Sequence, residues 1–385
     1  MNNFIYDNKT KVYFGKGGVR EYLRCILKLY GSNVMLAYGG GSVKKNGVYD
    51  EVTEILKAAG KNVTEFSGIM PNLTYAKVQE GAELVRRNDI DLILAVGGGS
   101  VIDCCKIVSA QSRLEGDIWE TETVKKVFPT EFVPMGAIVT VSGTGSEMNA
   151  GAVITNEDKK IKCGLFGAQA DFAFLDPAYT VSVPFGQVIS GAFDTLSHAM
   201  ETYFGKPDEN NLSDDINEAV MRSVIKNMRI LLHDHDDHEA RSELMWTSSM
   251  AENGILKIGK ITDFQAHQME HQLGAYTDCN HGKGLAVIHP VLYRHIYKDG
   301  VMRFARFAEN VWGISGKETA EETAQAGINA LADFIKEVGL PTSFTEMGIP
   351  KDTDLKAMAD STNITPGCCR KLTHEEILEI LKECM

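Results

Sequence analysis

Hydrophobic runs of two kinds divide the chain. Up to about residue 180, short β-branched runs recur at 11–15 (KVYFG), 33–38 (NVMLAY), 62–68 (NVTEFSG), 91–96 (DLILAV) and 136–141 (GAIVTV), with amphipathic stretches at 49–60 and 75–87 between them. Strands alternating with helices predict a doubly wound, mainly parallel sheet. Beyond LDPAYTVSVP (175–184) the period becomes helical, and helices are predicted over 185–205, 213–232, 239–257, 262–276, 317–338 and 373–384. The expectation is an α/β domain over 1–180 followed by an all-α domain over 181–385, with no internal repeat of fixed period. In such an architecture the active site is expected in the cleft between the halves, above the carboxyl ends of the strands.

Composition narrows the function classes. A length of 385 residues exceeds one ordinary core and agrees with two domains. No apolar run approaches the ~20 residues that a bilayer crossing needs, so no membrane span is expected. The N-terminal MNNFIYDNKTKVYFG lacks the basic flank, apolar core and cleavage site of a secretory signal. A net charge of −13 gives no basic patch for a phosphate backbone, which removes nucleic acid as an expected partner and leaves small-molecule chemistry. Eight cysteines without a C-x-x-C pair read as reduced thiols in a cytoplasmic compartment.

Two strands run into the same tetrapeptide, Gly39–Gly40–Gly41–Ser42 and Gly97–Gly98–Gly99–Ser100. A glycine turn between strand and helix lets the backbone approach a phosphate and aims amide N–H groups at it. Neither turn is G-x-G-x-x-G, because Lys44 and Ile102 stand where the third glycine belongs. Ser100 and Asp103 also fit an S-x-x-D helix cap, which needs no ligand. A third element, Gly143–Thr144–Gly145–Ser146–Glu147, follows the run GAIVTV. Three such turns at strand ends point to one long phosphate-bearing ligand.

The helical half carries ligand chemistry. Asp194 and His198 lie four residues apart, which places both on one helix face; His267 and His271 repeat the spacing, and His281 sits on the turn NHGKG. One carboxylate with several imidazoles suits Fe²⁺ or Zn²⁺ rather than Mg²⁺ or Ca²⁺. HQMEH (267–271) alone fits the H-x-x-E-H pattern of a zinc protease, but that reading leaves the glycine turns, Asp194 and His198 unused. The acidic, histidine-rich HDHDDH (233–238) lies between helical patterns and reads as a solvated loop. Glu201 shares a face with Asp194 and His198, either as a contact behind the ligands or as an exposed acid; His289 and His295 read as packing or surface residues.

GGGSVIDCCK (97–106), GTGSEMNAGAVIT (143–155), FLDP (174–177), GAFDTLSHAMETY (191–203), His267 with HQLG, and NHGKGLA together resemble the iron-containing alcohol dehydrogenases, most nearly their NADP-dependent butanol dehydrogenase and broad-specificity aldehyde reductase branch. The resemblance runs from YFGKG (13–17) to LTHEEILEIL (372–381). It implies a dehydroquinate synthase-like α/β domain that binds a dinucleotide and an all-α domain that binds metal. The metal, usually iron and in some members zinc, would be held by Asp194, His198, His267 and His281. His271 matches a histidine implicated in proton transfer, and Asp103, which matches the acid of the GGGS-x-x-D element, is a second candidate catalytic residue. Gly97, Gly98, Gly99 and Ser100 match the pyrophosphate loop, joined by the turn Gly39, Gly40, Gly41 and Ser42. Thr140 and Thr144 match threonines around the cofactor, Lys162 a lysine near its ribose, and Asn72 the loop near adenine, although Leu73 stands where proline is common. The implied reaction is reversible, NADP(H)-linked interconversion of primary aliphatic alcohols and aldehydes of the butanol and butanal kind, by a homodimer. NADP is favoured over NAD because the turn YGGGSVKK offers no acid to bond a ribose 2′-hydroxyl and does offer Ser42, Lys44 and Lys45. The rivals are a lyase of the dehydroquinate synthase type and a non-catalytic metal-binding protein.

Overall fold

The computed structural model describes residues 2–207 and 209–385. They form two compact units, Asp7–Pro184 and Phe185–Met385, the second also including the residues up to Tyr6. The division differs from the expected break after residue 180. The amide of Asn2 donates to Gly259 O at 3.1 Å and the Tyr6 ring lies against Gly254, which holds the N-terminus to the helical unit. The amide of Val183 closes a turn on Thr180, and Asn46 Nδ2 donates to Ser182 Oγ at 3.2 Å, which keeps 181–184 with the α/β unit.

The α/β unit contains strands β1 (Lys11–Phe14), β2 (Asn33–Tyr38), β3 (Asn62–Phe66), β4 (Leu92–Gly97), β5 (Met135–Val139), β6 (Gly151–Asn156), β7 (Ile161–Phe166) and β8 (Phe172–Leu175). Six of them form one wholly parallel sheet in the order β1-β8-β5-β4-β2-β3, and β6 and β7 pair as an antiparallel hairpin. The central strand β4 is buried at every residue, as a strand covered on both faces must be, and this explains its unbroken apolar run. Val34, Leu36, Leu92, Leu94 and Val96 pack on one face against Val19 and Leu23 of the Gly18–Ile26 helix and Val52 and Leu56 of the Val48–Ala58 helix. The Gly99–Arg113 helix packs on β2, β4 and β5 and against the Tyr75–Arg87 helix. Gly81 permits that last contact, since a Cβ there would lie 2.6 Å from Val108 Cγ2 and 2.9 Å from the Phe66 ring.

The second unit is helical, as expected. It includes three helices that the periodicity did not mark, His281–Ile296, Val301–Trp312 and Leu355–Ser361. The first of these opens HGKG and carries Pro290 inside it, so helix-breaking residues masked its pattern. His281 is therefore the first residue of a helix rather than part of a turn, and His289 and His295 lie within that helix rather than beside it. Among the described residues no helix is long and apolar enough to cross a membrane, and no cysteine is in a disulfide.

Candidate metal centre and dinucleotide turns

Register brings the three glycine turns together. β5, β4 and β2 are consecutive neighbours in a parallel sheet, so Gly143–Glu147, Gly97–Ser100 and Gly39–Ser42 all leave the same, carboxyl edge. Gly98 caps the Gly99–Arg113 helix and has no side chain to bond the amides of its first turn, where the helix dipole favours an anion. The S-x-x-D cap expected at Ser100 and Asp103 does not form. Asp103 instead accepts hydrogen bonds from Ser146 Oγ and, at 2.9 Å, from the Val153 amide, and its carboxylate lies 3.6 Å from Lys106 Nζ. It thus ties the helix to the third turn and to β6. Gly97 and Gly99 are also required by packing, because a Cβ would lie 2.5 Å from Val101 Cγ2 at one and 2.6 Å from the Thr144 side chain at the other. Thr140 is buried, its amide continuing the ladder to Gly97 O at 3.0 Å, and Thr144 Oγ1 accepts from the Ser146 amide at 3.2 Å. Lys162 Nζ donates to Asn72 Oδ1 at 3.0 Å, which pairs the two residues matched to ribose and adenine positions.

The turn Gly39–Ser42 has a charged neighbour that sequence reading missed. Glu65 on β3 accepts from Tyr38 and Tyr49 hydroxyls, each at 2.5 Å and on separate oxygens, and lies 3.6 Å from Lys44 Nζ. Those tyrosine bonds, outweighing its partial burial, and then Lys44 hold the Glu65 carboxyl below its ordinary range. The Lys44 ammonium sits 5.0 Å from the Tyr38 ring centre and 4.3 Å from that of Tyr49.

In the helical unit, three helices supply the cluster. Phe185–Tyr203 carries Asp194, His198 and Glu201; Gln265–Thr277 carries His267, Glu270 and His271; and His281 opens its helix behind Asn280, whose side chain accepts from the Lys283 amide at 3.1 Å. Gly282 lets this helix close on the first, since a Cβ would lie 2.2 Å from Ser190 O. Donor atoms of Asp194, His267 and His281 lie within 4.8 Å of one another. Asp194 Oδ1 is 3.5 Å from His267 Nε2 and 3.4 Å from His281 Nε2, and His198 stands beside them with Nδ1 at 3.9 Å and its ring stacked on His267 at 4.5 Å. Glu270, His271 and His281 form a second such group.

The donor set fits a divalent cation. Asp194 Oδ1, His198 Nδ1 and His267 Nε2 are fully buried without a hydrogen-bond partner among the described residues, an arrangement that is unfavourable unless something else binds them. Behind them stand two wholly buried acids: His267 Nδ1 pairs with Glu201 Oε2, and His281 Nδ1 with Glu270 Oε2. A carboxylate on Nδ1 fixes the tautomer that points the Nε2 lone pair at a metal. Glu201 is therefore the contact behind a ligand, not an exposed acid, and its other oxygen accepts from the Ala266 amide at 2.6 Å. Glu270 serves His281, and Gly284 leaves it room, because a Cβ there would lie 2.9 Å from Glu270 Cγ.

Charge at the cluster follows from burial and these pairs. Burial opposes ionisation of Asp194, but the imidazoles of His198, His281 and His267 hold its carboxyl well below the usual carboxylate range. Burial likewise opposes a charged His267, yet Glu201 and Asp194 push it up to about 10, while burial, joined by His267 and Lys257, keeps His198 below its ordinary value against the pull of Asp194 and Glu252. A metal ligand must be a neutral imidazole, so a cation entering here displaces protons. His289 is wholly buried, bonded through Nε2 to Ser197 Oγ at 2.5 Å, and burial lowers it to about 4, which makes it a neutral packing residue. HDHDDH closes two helices: Asp237 accepts from the Ala240 amide at 2.7 Å, and the His235 ring stacks on Phe185 at 3.7 Å.

Comparison with known proteins finds matches along both units. Residues 9–177 match the family described as iron-containing alcohol dehydrogenase, and residues 188–385 match the C-terminal part of the Fe-containing alcohol dehydrogenase family. The NADH-dependent butanol dehydrogenase A of Clostridium acetobutylicum is 40% identical over 391 residues, spanning 100% of each chain. The NADPH-dependent aldehyde reductase YqhD of Escherichia coli is 34% identical over 356 residues, 91% of this chain and 90% of that one. The crystal structure of an NADH-dependent butanol dehydrogenase A from Thermotoga maritima superposes with a TM-score of 0.94 at 35% identity, covering 100% of this chain and 99% of the other.

Proposed function

The chain belongs to the iron-containing alcohol dehydrogenase family, and from that premise we propose that it is a metal-dependent alcohol dehydrogenase and aldehyde reductase. Its substrates on this reading are primary aliphatic alcohols and aldehydes of about four carbons, and its redox partner is NADP(H). The observation that carries the reading is the convergence of Asp194 Oδ1, His267 Nε2 and His281 Nε2 within 4.8 Å, the first two of them buried with no hydrogen-bond partner among the described residues.

Asp194, His198, His267 and His281 would hold Fe²⁺ or Zn²⁺, which when bound supplies positive charge to a carbonyl oxygen. A bound nicotinamide supplies the hydride. The residues of the chain prepare the rest. The first-turn amides at Gly97–Ser100 receive the pyrophosphate, with Thr140, Thr144, Lys162 and Asn72 around the nucleoside portions. Glu201 and Glu270 orient the rings of His267 and His281. His271, which is buried and stacked on His281 at 5.9 Å, is the proton donor to the developing alkoxide, since imidazole exchanges protons near neutrality. Asp103 acts by bracing the first turn of the Gly99–Arg113 helix. NADP is supported by the absence of an acid in Gly39–Ser42 and by Lys44 beside it; relatives carry both cofactor names, and the reading rests on that charge argument. The eight cysteines, none of them in a disulfide among the described residues, support a cytoplasmic setting.

The test is a steady-state assay of the purified protein on two- to eight-carbon aldehydes with NADPH and with NADH, after reconstitution with Fe²⁺ or Zn²⁺ separately. Metal-dependent reduction peaking near butanal with NADPH is expected. Turnover that persists in a chelated sample, or a His267→Ala variant that keeps full metal occupancy, would overturn the assignment.

A further inference from the structure

In a doubly wound sheet the adenine ribose is read at the carboxyl end of the strand next to the one bearing the pyrophosphate turn. Here that turn follows β4, and the neighbour that ends in a second glycine turn is β2. β3 lies on the other side of β2 with Glu65 opposite Leu36, near the end of both strands. We propose that Glu65 is a cofactor-selectivity residue, which occupies the Lys44 ammonium and places a negative charge where a ribose 2′-phosphate differs from a 2′-hydroxyl. The inference rests on the nicotinamide reading above.

Three observations carry it. The carboxylate is fixed, because each oxygen accepts its own tyrosine hydroxyl, from Tyr38 and Tyr49. The ammonium is fixed too, lying over both tyrosine rings and 3.6 Å from the carboxylate. Finally, both side chains remain about half exposed, at 47% and 46%, so the pair faces solvent rather than sealing a core. Lys44 alone would favour a 2′-phosphate strongly. With Glu65 on it, part of that charge is already offset, and the preference for NADP is reduced rather than lost. The acid that a reading of the turn 39–45 does not find is thus supplied by the neighbouring strand.

The experiment is fluorescence titration of NADPH and NADH into the full-length, metal-loaded protein, reporting the ratio of Kd for NADH to Kd for NADPH. Glu65→Gln keeps the shape and removes the charge, and should raise that ratio about tenfold at low salt. The gain should shrink at high ionic strength, as screening requires. Lys44→Ala should move the ratio in the opposite direction. A ratio in Glu65→Gln within twofold of wild type, or an equal change for both cofactors, would overturn the selectivity role. A wild-type protein that prefers NADH would overturn the NADP assignment alone, leaving the predicted shift in Glu65→Gln to stand or fall separately.

Discussion

Glu201→Gln isolates what the carboxylate behind His267 contributes. Glu201 is fully buried, with one oxygen on the Ala266 amide at 2.6 Å and the other on His267 Nδ1. Glutamine has the same shape, and the Ala266 contact demands an acceptor, so the amide oxygen stays there and the NH₂ turns toward Nδ1. Two donors cannot face one another. The imidazole proton must therefore move to Nε2, the atom 3.5 Å from Asp194 Oδ1 that would otherwise offer its lone pair to a cation. Loss of such an orienting carboxylate typically weakens metal affinity by about 10- to 100-fold, or roughly 1.4–2.7 kcal/mol. The assay is competition for Zn²⁺ or Co²⁺ against a chelator of known affinity, with the cobalt visible absorption reporting ligand geometry and circular dichroism confirming the fold. Affinity within twofold of wild type, with an unchanged cobalt spectrum, would refute the orienting role.

Three further outcomes follow from the same geometry. His271→Ala should keep its metal content but lose about 100-fold in kcat and the pH dependence near neutrality, and full activity across pH would refute the proton role. Gly282→Ala places a Cβ 2.2 Å from Ser190 O, so the His281–Ile296 helix must shift; a loss of about 1–3 kcal/mol in urea unfolding together with bound metal is expected, and an unaltered protein would show that the contact yields freely. Burial pushes Glu122 up to about 7, although its bond from the Phe166 amide pulls the other way. The folded state then binds this proton more tightly than the unfolded chain, so its stabilising effect is complete below the ordinary value near 4.5 and is lost as pH rises to about 7. Glu122→Gln should accordingly gain stability over wild type by roughly 1–3 kcal/mol between pH 5 and pH 8 in urea titrations, and a difference independent of pH would refute it.

The fold was legible where one physical demand governed a segment. LILAVG must be apolar throughout because both faces of β4 are covered, and that run announces a parallel sheet without further help. In the hairpin β6–β7, β6 is buried only on alternate residues and begins inside the glycine-rich GTGSEMNAGAVIT, while β7 buries only Lys162 and Leu165, so the pattern did not separate it from a loop. His281–Ile296 was hidden for the opposite reason. Its glycines and Pro290 speak against a helix locally, whereas burial of Leu285, Ile288, Leu292 and Ile296 in the core decides the matter through tertiary packing.

At the candidate site, helical spacing marked the candidate ligands better than the groups behind them. Four-residue spacing shows that Asp194 and His198 share a face, and likewise His267 and His271, because both members belong to one helix. The acids meet their partners across packing: Glu201 reaches 66 residues to His267, Glu270 reaches 11 to His281, and Glu65 on β3 meets Lys44 from the segment that follows the neighbouring β2. No periodicity encodes such a pairing. A weaker signal did exist for the first two. Glu201 sits among Ala199, Met200 and Tyr203, and Glu270 beside Met269 and Leu273, all of them buried. An ionised carboxylate among such neighbours is tolerable only with a charged or hydrogen-bonding partner. The nearest groups able to meet that demand without adding another negative charge are the histidines already assigned as ligands. The energetic requirement of the acids therefore points back to the rings whose tautomer they set, and it does so before any metal is considered.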